Sequence, residues 1–233
     1  MGIGAKHTFV GQFFEEVGHR ILGGDLSRNE DGDVCLWRTQ TSVEIKSSGS
    51  QSSYGFRLSV EQIEHYERIS VFPFSRVWYM FFAYRNRSLR MKNGTRKTEL
   101  AKYGDPLSIN RYLAETILWC TIVDLSIISK WKEVLPISTK SIMGHLGKRT
   151  VDLKCGYVQE FSNGGFVSEL TRLEFDPKKF SSISGTLKTT LEPDLFSKYS
   201  VEFPVTAILP VEEVTSFQRM LGCRGFRLKK SVG

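Results

Sequence analysis

The chain reads as one mixed α/β domain with a β-rich C-terminal extension, and three features predict it. Residues 9–20 carry Val10, Phe13, Phe14 and Val17 at helical spacing, an apolar stripe on an otherwise polar segment. Residues 33–46 alternate as two short strands around a reversal, and Val77 to Tyr84 is a dense aromatic and β-forming run suited to a buried strand. Between them Ser59, with Gln62 in the capping-box position, starts a helix over about 60–69 that puts Val60, Ile63 and Tyr66 near one side.

Taken in order, the first helix contains Gly11 and Gly18, which lower helix propensity but permit close packing. Ile21-Leu22 and Leu26 are candidates for a first strand. Asn29-Glu30-Asp31-Gly32 reads as a turn, Asp33 to Trp37 as a strand, Arg38 to Thr41 as the reversal and Ser42 to Lys46 as the returning strand. The Ser/Gly-rich stretch from Ser47 through Gly55 reads as a loop able to move over a substrate.

Beyond Gly94 the pattern predicts a helix over 109–122 containing Tyr112, Leu113, Ile117 and Leu118, then a less regular segment to Trp131. Residues 142–214 look mainly β, with turn signals at Asn163-Gly164-Gly165, Asp176-Pro177 and Glu192-Pro193, and a short helix follows Pro210 to Leu221. The division is a core over 1–105 and a helical connector with a β-rich extension over 106–233, packed as one continuous domain.

At 233 residues, 40% hydrophobic and 24% charged, the chain can bury a substantial core, and its composition does not suggest disorder or fibrous structure. Its longest apolar runs, Val77 to Tyr84 and Ile117 to Leu125, are too short or interrupted to span a bilayer, and no secretory signal opens it. The expectation is a soluble cytoplasmic protein without a membrane partner. Cys35, Cys120, Cys155 and Cys223 form no close C-x2-C pair, so they read as reduced, mostly packed thiols.

The net charge of +7 is unevenly placed. Residues 1–70 hold seven Lys or Arg against ten Asp or Glu, whereas 85–102 hold Arg85, Arg87, Arg90, Lys92, Arg96, Lys97 and Lys102 against Glu99 alone. A second basic cluster, Arg219, Arg224, Arg227, Lys229 and Lys230, lies near the C-terminus. An acidic pocket beside basic surface suits a metal-dependent enzyme acting on a polyanion; solvation alone also accounts for charge runs of this kind.

The chemistry concentrates at Asp33 and Glu44-Ile45-Lys46. Strand alternation puts Glu44 and Lys46 on one face, and a hairpin brings Asp33 beside them. Two hard oxygen ligands with a nearby amine suit Mg2+ and a positioned water, and the matching substrate is a phosphodiester. Glu-x-Lys on a strand is common by itself; its weight comes from the elements on either side.

That order of elements, with its residues, resembles the PD-(D/E)xK nuclease superfamily, which includes restriction endonucleases, Holliday-junction resolvases and RecB-type nuclease domains. The resemblance covers roughly residues 9–84: Glu15 with Gly11 four positions before it, Asp33, Glu44-Ile45-Lys46, then Gln62 and Tyr66 on the next helix. Gly-x3-Glu and Gln-x3-Tyr resemble the RecB-like branch in particular. Gly32 stands where the family name has proline, which leaves Asp25 or Asp31 as possible substitutes for Asp33.

The resemblance implies a restriction-endonuclease-like core, a central mixed β-sheet flanked by helices, and hydrolysis of DNA with Mg2+ or Mn2+. It implies that Asp33 and Glu44 hold the metal, with the Ile45 carbonyl and Glu15 as further ligands. Lys46 would orient the attacking water and stabilise phosphate charge, and Gln62 would act near the ligands with Tyr66 in support. Glu16 is expected to point elsewhere and be solvated, and His19, His65 and His145 to be surface or structural residues.

Arg85, Arg87, Arg90, Lys92, Arg96, Lys97, Lys148 and Arg149 are the candidate nucleic-acid contacts. The extension, with His145, Lys148, Arg149, Lys154 and the loop at Asn163, is the expected place for specificity or dimerisation. A restriction-type homodimer is the leading expectation. A junction resolvase, a non-catalytic nucleic-acid-binding module of the same fold and an RNA substrate are the alternatives.

Overall fold

The computed structural model describes residues 3–27, 31–49, 55–70, 73–142, 145–153, 167–174, 202–209 and 228–230. The N-terminal half comprises α1 (Ile3–Leu22), β1 (Asp25–Leu26), β2 (Val34–Leu36), β3 (Thr41–Ser48), β4 (Phe56–Ser59), α2 (Val60–Ile69) and β5 (Arg76–Tyr84). A two-stranded hairpin, β6 (Ser88–Arg90) and β7 (Arg96–Thr98), precedes α3 (Pro106–Thr116), β8 (Ile117–Asp124) and α4 (Leu125–Val134). Then come β9 (Ile137–Ile142), β10 (His145–Leu153), β11 (Val167–Glu174), β12 (Glu202–Leu209) and β13 (Leu228–Lys230).

The architecture is a mixed α/β fold around a central sheet flanked by helices, in the strand order β1-β2-β3-β5-β8-β12-β11-β13. β2 and β3 are antiparallel, and β3 and β5 run parallel through the crossover that carries α2. β8 returns antiparallel beside β5, so the sheet continues into residues beyond 106. A second sheet, β4-β10-β9, lies beside α2.

Two apolar layers sandwich the central sheet, and strand alternation decides which residue enters which. Phe13, Phe14 and Val17 of α1 pack with Val43, Ile45, Trp78, Met80 and Phe82 on one face. Val60, Ile63 and Tyr66 of α2 pack with Val77, Tyr79 and Phe81 on the other, joined by Ile127, Ile128 and Trp131 of α4. Each such large apolar side chain contributes about 1.5–3 kcal/mol by leaving water.

Gly18 lets α1 settle on the sheet: a Cβ there would stand 2.4 Å from Ile45 Cδ1 and 3.3 Å from Met80 Sδ. Gly11 needs no such clearance, since its Cβ would make an ordinary 3.7 Å contact with Glu15.

Several expected boundaries move. Ile21 and Leu22 end α1, fully buried, instead of opening a strand. The turn over 29–32 lies partly outside the described residues. The reversal after β2 is a 3-10 turn at Trp37–Thr39 closed by Gln40 in the left-handed region at φ 49°, and β3 runs on to Ser48, into the expected loop. Ser50 to Tyr54 lie outside the described residues.

The expected helix over 109–122 is a correction: α3 stops at Thr116, and Ile117–Asp124 is β8. The β-forming run Ile117, Trp119, Thr121, Ile122 and Val123 pairs with β5, a tertiary contact that overrides the helical spacing. α4 fills the less regular segment, capped by Asp124, whose carboxylate accepts from Ser126 N at 2.8 Å. The turn signals at 163–165, 176–177 and 192–193, and the helix expected after Pro210, lie outside the described residues.

Candidate active site

Glu44 sits in the middle of β3 on the α2 side of the sheet, opposite in direction to its neighbours Val43 and Ile45. It is 4% exposed. α2 supplies two donors to it, one turn apart: Gln62 Nε2 donates to Oε1 at 2.8 Å, and the Tyr66 hydroxyl donates to Oε2. Lys46, on the same strand face, donates from Nζ to Oε1.

Ser59 caps α2 as expected, its hydroxyl oxygen accepting from Gln62 N at 3.3 Å. The Gln62 side chain turns to Glu44 and Tyr66, so its contact is with the carboxylate. Tyr66 is buried, and burial followed by the charge of Glu44 raises its hydroxyl pKa, which keeps it a donor.

Asp33 lies just ahead of β2, where the hairpin opens. Its backbone N–H donates to Val43 O at 2.9 Å, and its Oδ2 accepts from Ile45 N at 2.6 Å. Burial first, then the charge of Glu44, push its carboxyl up to about 7; the Ile45 N–H and Lys46 pull the other way, and Glu15 adds to the rise. Glu15 of α1 is raised too, by burial and then Glu44, with Lys46 opposing.

Gly32 holds a backbone position that proline could not take. Its φ of +113° lies outside anything a proline ring adopts, and a Cβ there would stand 2.3 Å from Ser42 Oγ. Ser42 in turn donates its hydroxyl to Asp31 O, fixing the turn that aims Asp33. Asp25 is exposed on β1, the outermost strand, paired in register with Cys35. The carboxylate that shares its field with Glu44, Glu15 and Lys46 is that of Asp33.

Tyr79 escaped the sequence reading. It pairs in register with Glu44 across β3 and β5 and feels that carboxylate's charge, while its buried hydroxyl has no partner among the described residues. The available signal was its parity with Val77 and Phe81 on β5: all three side chains join the layer that holds α2.

Glu16 is a second correction. Expected to be solvated, it is fully buried and accepts from Arg20 Nε at 2.7 Å, one helical turn on, with His19 Nδ1 at 3.9 Å. The i,i+4 spacing of Glu16 and Arg20 was its signal. His19 also contacts Gly24 O at 3.1 Å, and His65 lies against the Tyr66 ring. The side chains of His145, Lys154 and the C-terminal basic cluster lie outside the described residues, as does the loop at Asn163.

Among the candidate phosphate contacts, Arg87, Arg90, Lys92, Arg96 and Lys97 are exposed on or beside the β6–β7 hairpin, and Arg85 is half-buried at its root. Lys148 is exposed on β10. Arg149 is held by acids of α2, with Nε 3.1 Å from Glu61 and Nη2 3.0 Å from Glu64.

Among the described residues no three His, Cys, Asp or Glu side chains form a group arranged to hold a metal. The donor chemistry nevertheless fits Mg2+, which binds through one or two carboxylates and keeps several waters. Asp33, Glu44 and Glu15 oppose the single ammonium of Lys46. Fully ionised, the four groups carry two excess negative charges, which a divalent cation offsets. The Ile45 carbonyl, next after Glu44 in sequence, offers a further oxygen.

No family model, curated protein or solved structure matches the chain. Cys35 and Cys120 are free, buried thiols. Among the described residues no helix is long and apolar enough to cross a membrane.

Proposed function

We propose that the chain is a metal-dependent phosphodiesterase acting on DNA, a restriction-type endonuclease of the PD-(D/E)xK kind. The observation that carries this reading is the meeting of Asp33, Glu44 and Lys46 around one hairpin, with Glu15 adding to their field and Gln62 and Tyr66 fixing Glu44 from the next helix. A purely structural ion pair has no use for two further carboxylates, each raised by burial and by the charge of Glu44.

In this reading Asp33 and Glu44 hold Mg2+ or Mn2+, with the Ile45 carbonyl and Glu15 completing the oxygen set. The bound ion supplies Lewis acidity toward the phosphate and acidifies water. Lys46 orients the attacking water and offsets charge developing on the phosphate, a role its ammonium fills without losing a proton. Gln62 and Tyr66 keep the Glu44 oxygens from rotating. The basic segment from Arg85 to Lys97 neutralises backbone phosphates away from the reacting bond, and a two-fold homodimer presents one centre to each strand.

The test is incubation of the purified protein with linear duplex, single-stranded and four-way-junction DNA, with and without Mg2+, beside Lys46→Ala. Metal-dependent cutting of linear duplex into discrete products, lost in the variant, is the expected result. Preference for the junction would move the assignment to a resolvase. Absence of cutting with any substrate, or cutting indifferent to Lys46→Ala, would refute the proposed site.

A further inference from the structure

Among the described residues the β6–β7 hairpin joins no other sheet. Its ladder pairs Ser88 with Thr98, Leu89 with Lys97 and Arg90 with Arg96, and Arg87, Arg90, Met91, Lys92, Arg96 and Lys97 are all exposed. None of its Arg or Lys side chains makes an ion pair with a described residue. Arg90 and Arg96 stand directly opposite each other, an arrangement of like charges that is unfavourable unless an anion lies over it.

The root is fixed. Arg85 N donates to Thr116 O at 2.8 Å, and the Tyr112 hydroxyl of α3 donates to Arg85 O at 2.6 Å and lies 3.2 Å from Glu99 Oε2. Leu100 N donates to Asn86 Oδ1 at 3.1 Å, and the buried Leu100 side chain closes the base. The tip is ordered as well: Met91 N donates to Thr95 O at 2.7 Å, and Asn93 Oδ1 accepts from Thr95 Oγ1 at 2.6 Å.

Its starting point follows from the register. β3 and β5 are parallel with Lys46 opposite Phe81, so β5 ends at Tyr84, three residues or roughly 10 Å beyond Lys46, at the same edge of the sheet. The hairpin leaves from there. A two-stranded, exposed cationic ribbon therefore starts from the sheet edge toward which Lys46 lies, and the major groove of duplex DNA, about 12 Å wide, admits a two-stranded ribbon.

We propose that the β6–β7 ribbon is a duplex-binding arm that enters a DNA groove, with the Arg90–Arg96 pair straddling it and contacting phosphates of both walls. This rests on the nucleic-acid reading above and deepens it by giving the ribbon a place in the groove of the duplex. A single strand, lacking the groove, gains charge contact only.

The test separates binding from cutting by omitting metal and including EDTA. Fluorescence anisotropy would follow a labelled 20-base-pair duplex and the corresponding single strand across a salt series, with the full chain, Arg90→Gln/Arg96→Gln and Arg90→Glu. The double variant is expected to lose about tenfold or more in duplex affinity near 0.1 M salt and to flatten the log–log salt slope by about two, at about 0.9 per phosphate contact. Single-strand affinity should fall less.

Arg90→Glu separates a structural role from a binding one, because it replaces the Arg–Arg clash with a cross-strand ion pair. It should hold or raise the melting temperature while weakening duplex binding. Duplex affinity within twofold of wild type in both variants would overturn the proposal and leave the ribbon to a protein partner. Equal losses for duplex and single strand would overturn groove entry. Either result leaves the metal-dependent cutting assay to stand or fall separately.

Discussion

Glu16 and Glu44 are both almost wholly buried and each meets a cation on its own element, yet they sit in opposite electrostatic situations. Glu16 pairs with Arg20 one turn along α1, and the two charges close on each other. Glu44 pairs with Lys46 but shares its field with Asp33 and Glu15, so the cluster stays over-supplied with negative charge. Burial of an acid is therefore a poor guide to function by itself. Accumulation of like charge, which folding alone does not reward, is the better one.

The comparison breaks first at Glu16. Glu16→Ala leaves Arg20 buried without its carboxylate and is expected to cost about 3–5 kcal/mol in urea unfolding, with cutting per folded molecule unchanged. A loss under about 1 kcal/mol would show that Arg20 finds other compensation.

Asp33→Asn should act in the opposite direction on the metal-free protein. The folded-state pKa of Asp33 is raised to about 7, so the fold holds its proton more tightly than the unfolded chain does. Its contribution is fully present below the unfolded value, near pH 4, and is lost as pH rises through about 7. The asparagine variant does not titrate there. Near pH 8 without metal it is expected to be more stable than wild type by about 1–3 kcal/mol, a difference that vanishes near pH 4. Chemical denaturation at the two pH values checks both the sign and the window.

Tyr66→Phe is the smallest change. It removes one donor from Glu44 while keeping the ring in its cluster, and about 1 kcal/mol of stability should go with it. The freed Glu44 oxygen loses its fixed orientation, so cutting should fall as well. Full activity in Tyr66→Phe would confine the hydroxyl to a structural role.

Much of the N-terminal half was legible because its signals are local. Phe13, Phe14 and Val17 recur at helical spacing, Ser59 caps α2, and alternation along Val43 to Lys46 correctly put Glu44 and Lys46 on one face. What the sequence concealed depended on distant partners. β4 is four residues inside a polar stretch, made a strand by pairing with β10 nearly a hundred residues later. Ile117 to Val123 carries both helical spacing and β-branched residues, and only the free edge that β5 would otherwise present decides between them.

At the site the residue types were readable and their coupling was not. The elevated carboxyl of Asp33 arises from burial and from neighbours on two other elements, and Tyr79 joins Glu44 only through strand register. Glu16 was misread because a helical wheel gives direction without saying what lies opposite. Its partner, Arg20, was nonetheless present four positions on.

The most direct test is calorimetric titration of Mn2+ into wild type and Asp33→Asn, near pH 8 and near pH 5.5. Wild type should bind the ion near pH 8 and more weakly near pH 5.5, where Asp33 regains its proton, and Asp33→Asn should not bind it at either. Equal affinity in the two proteins would contradict a metal centre built on that carboxylate.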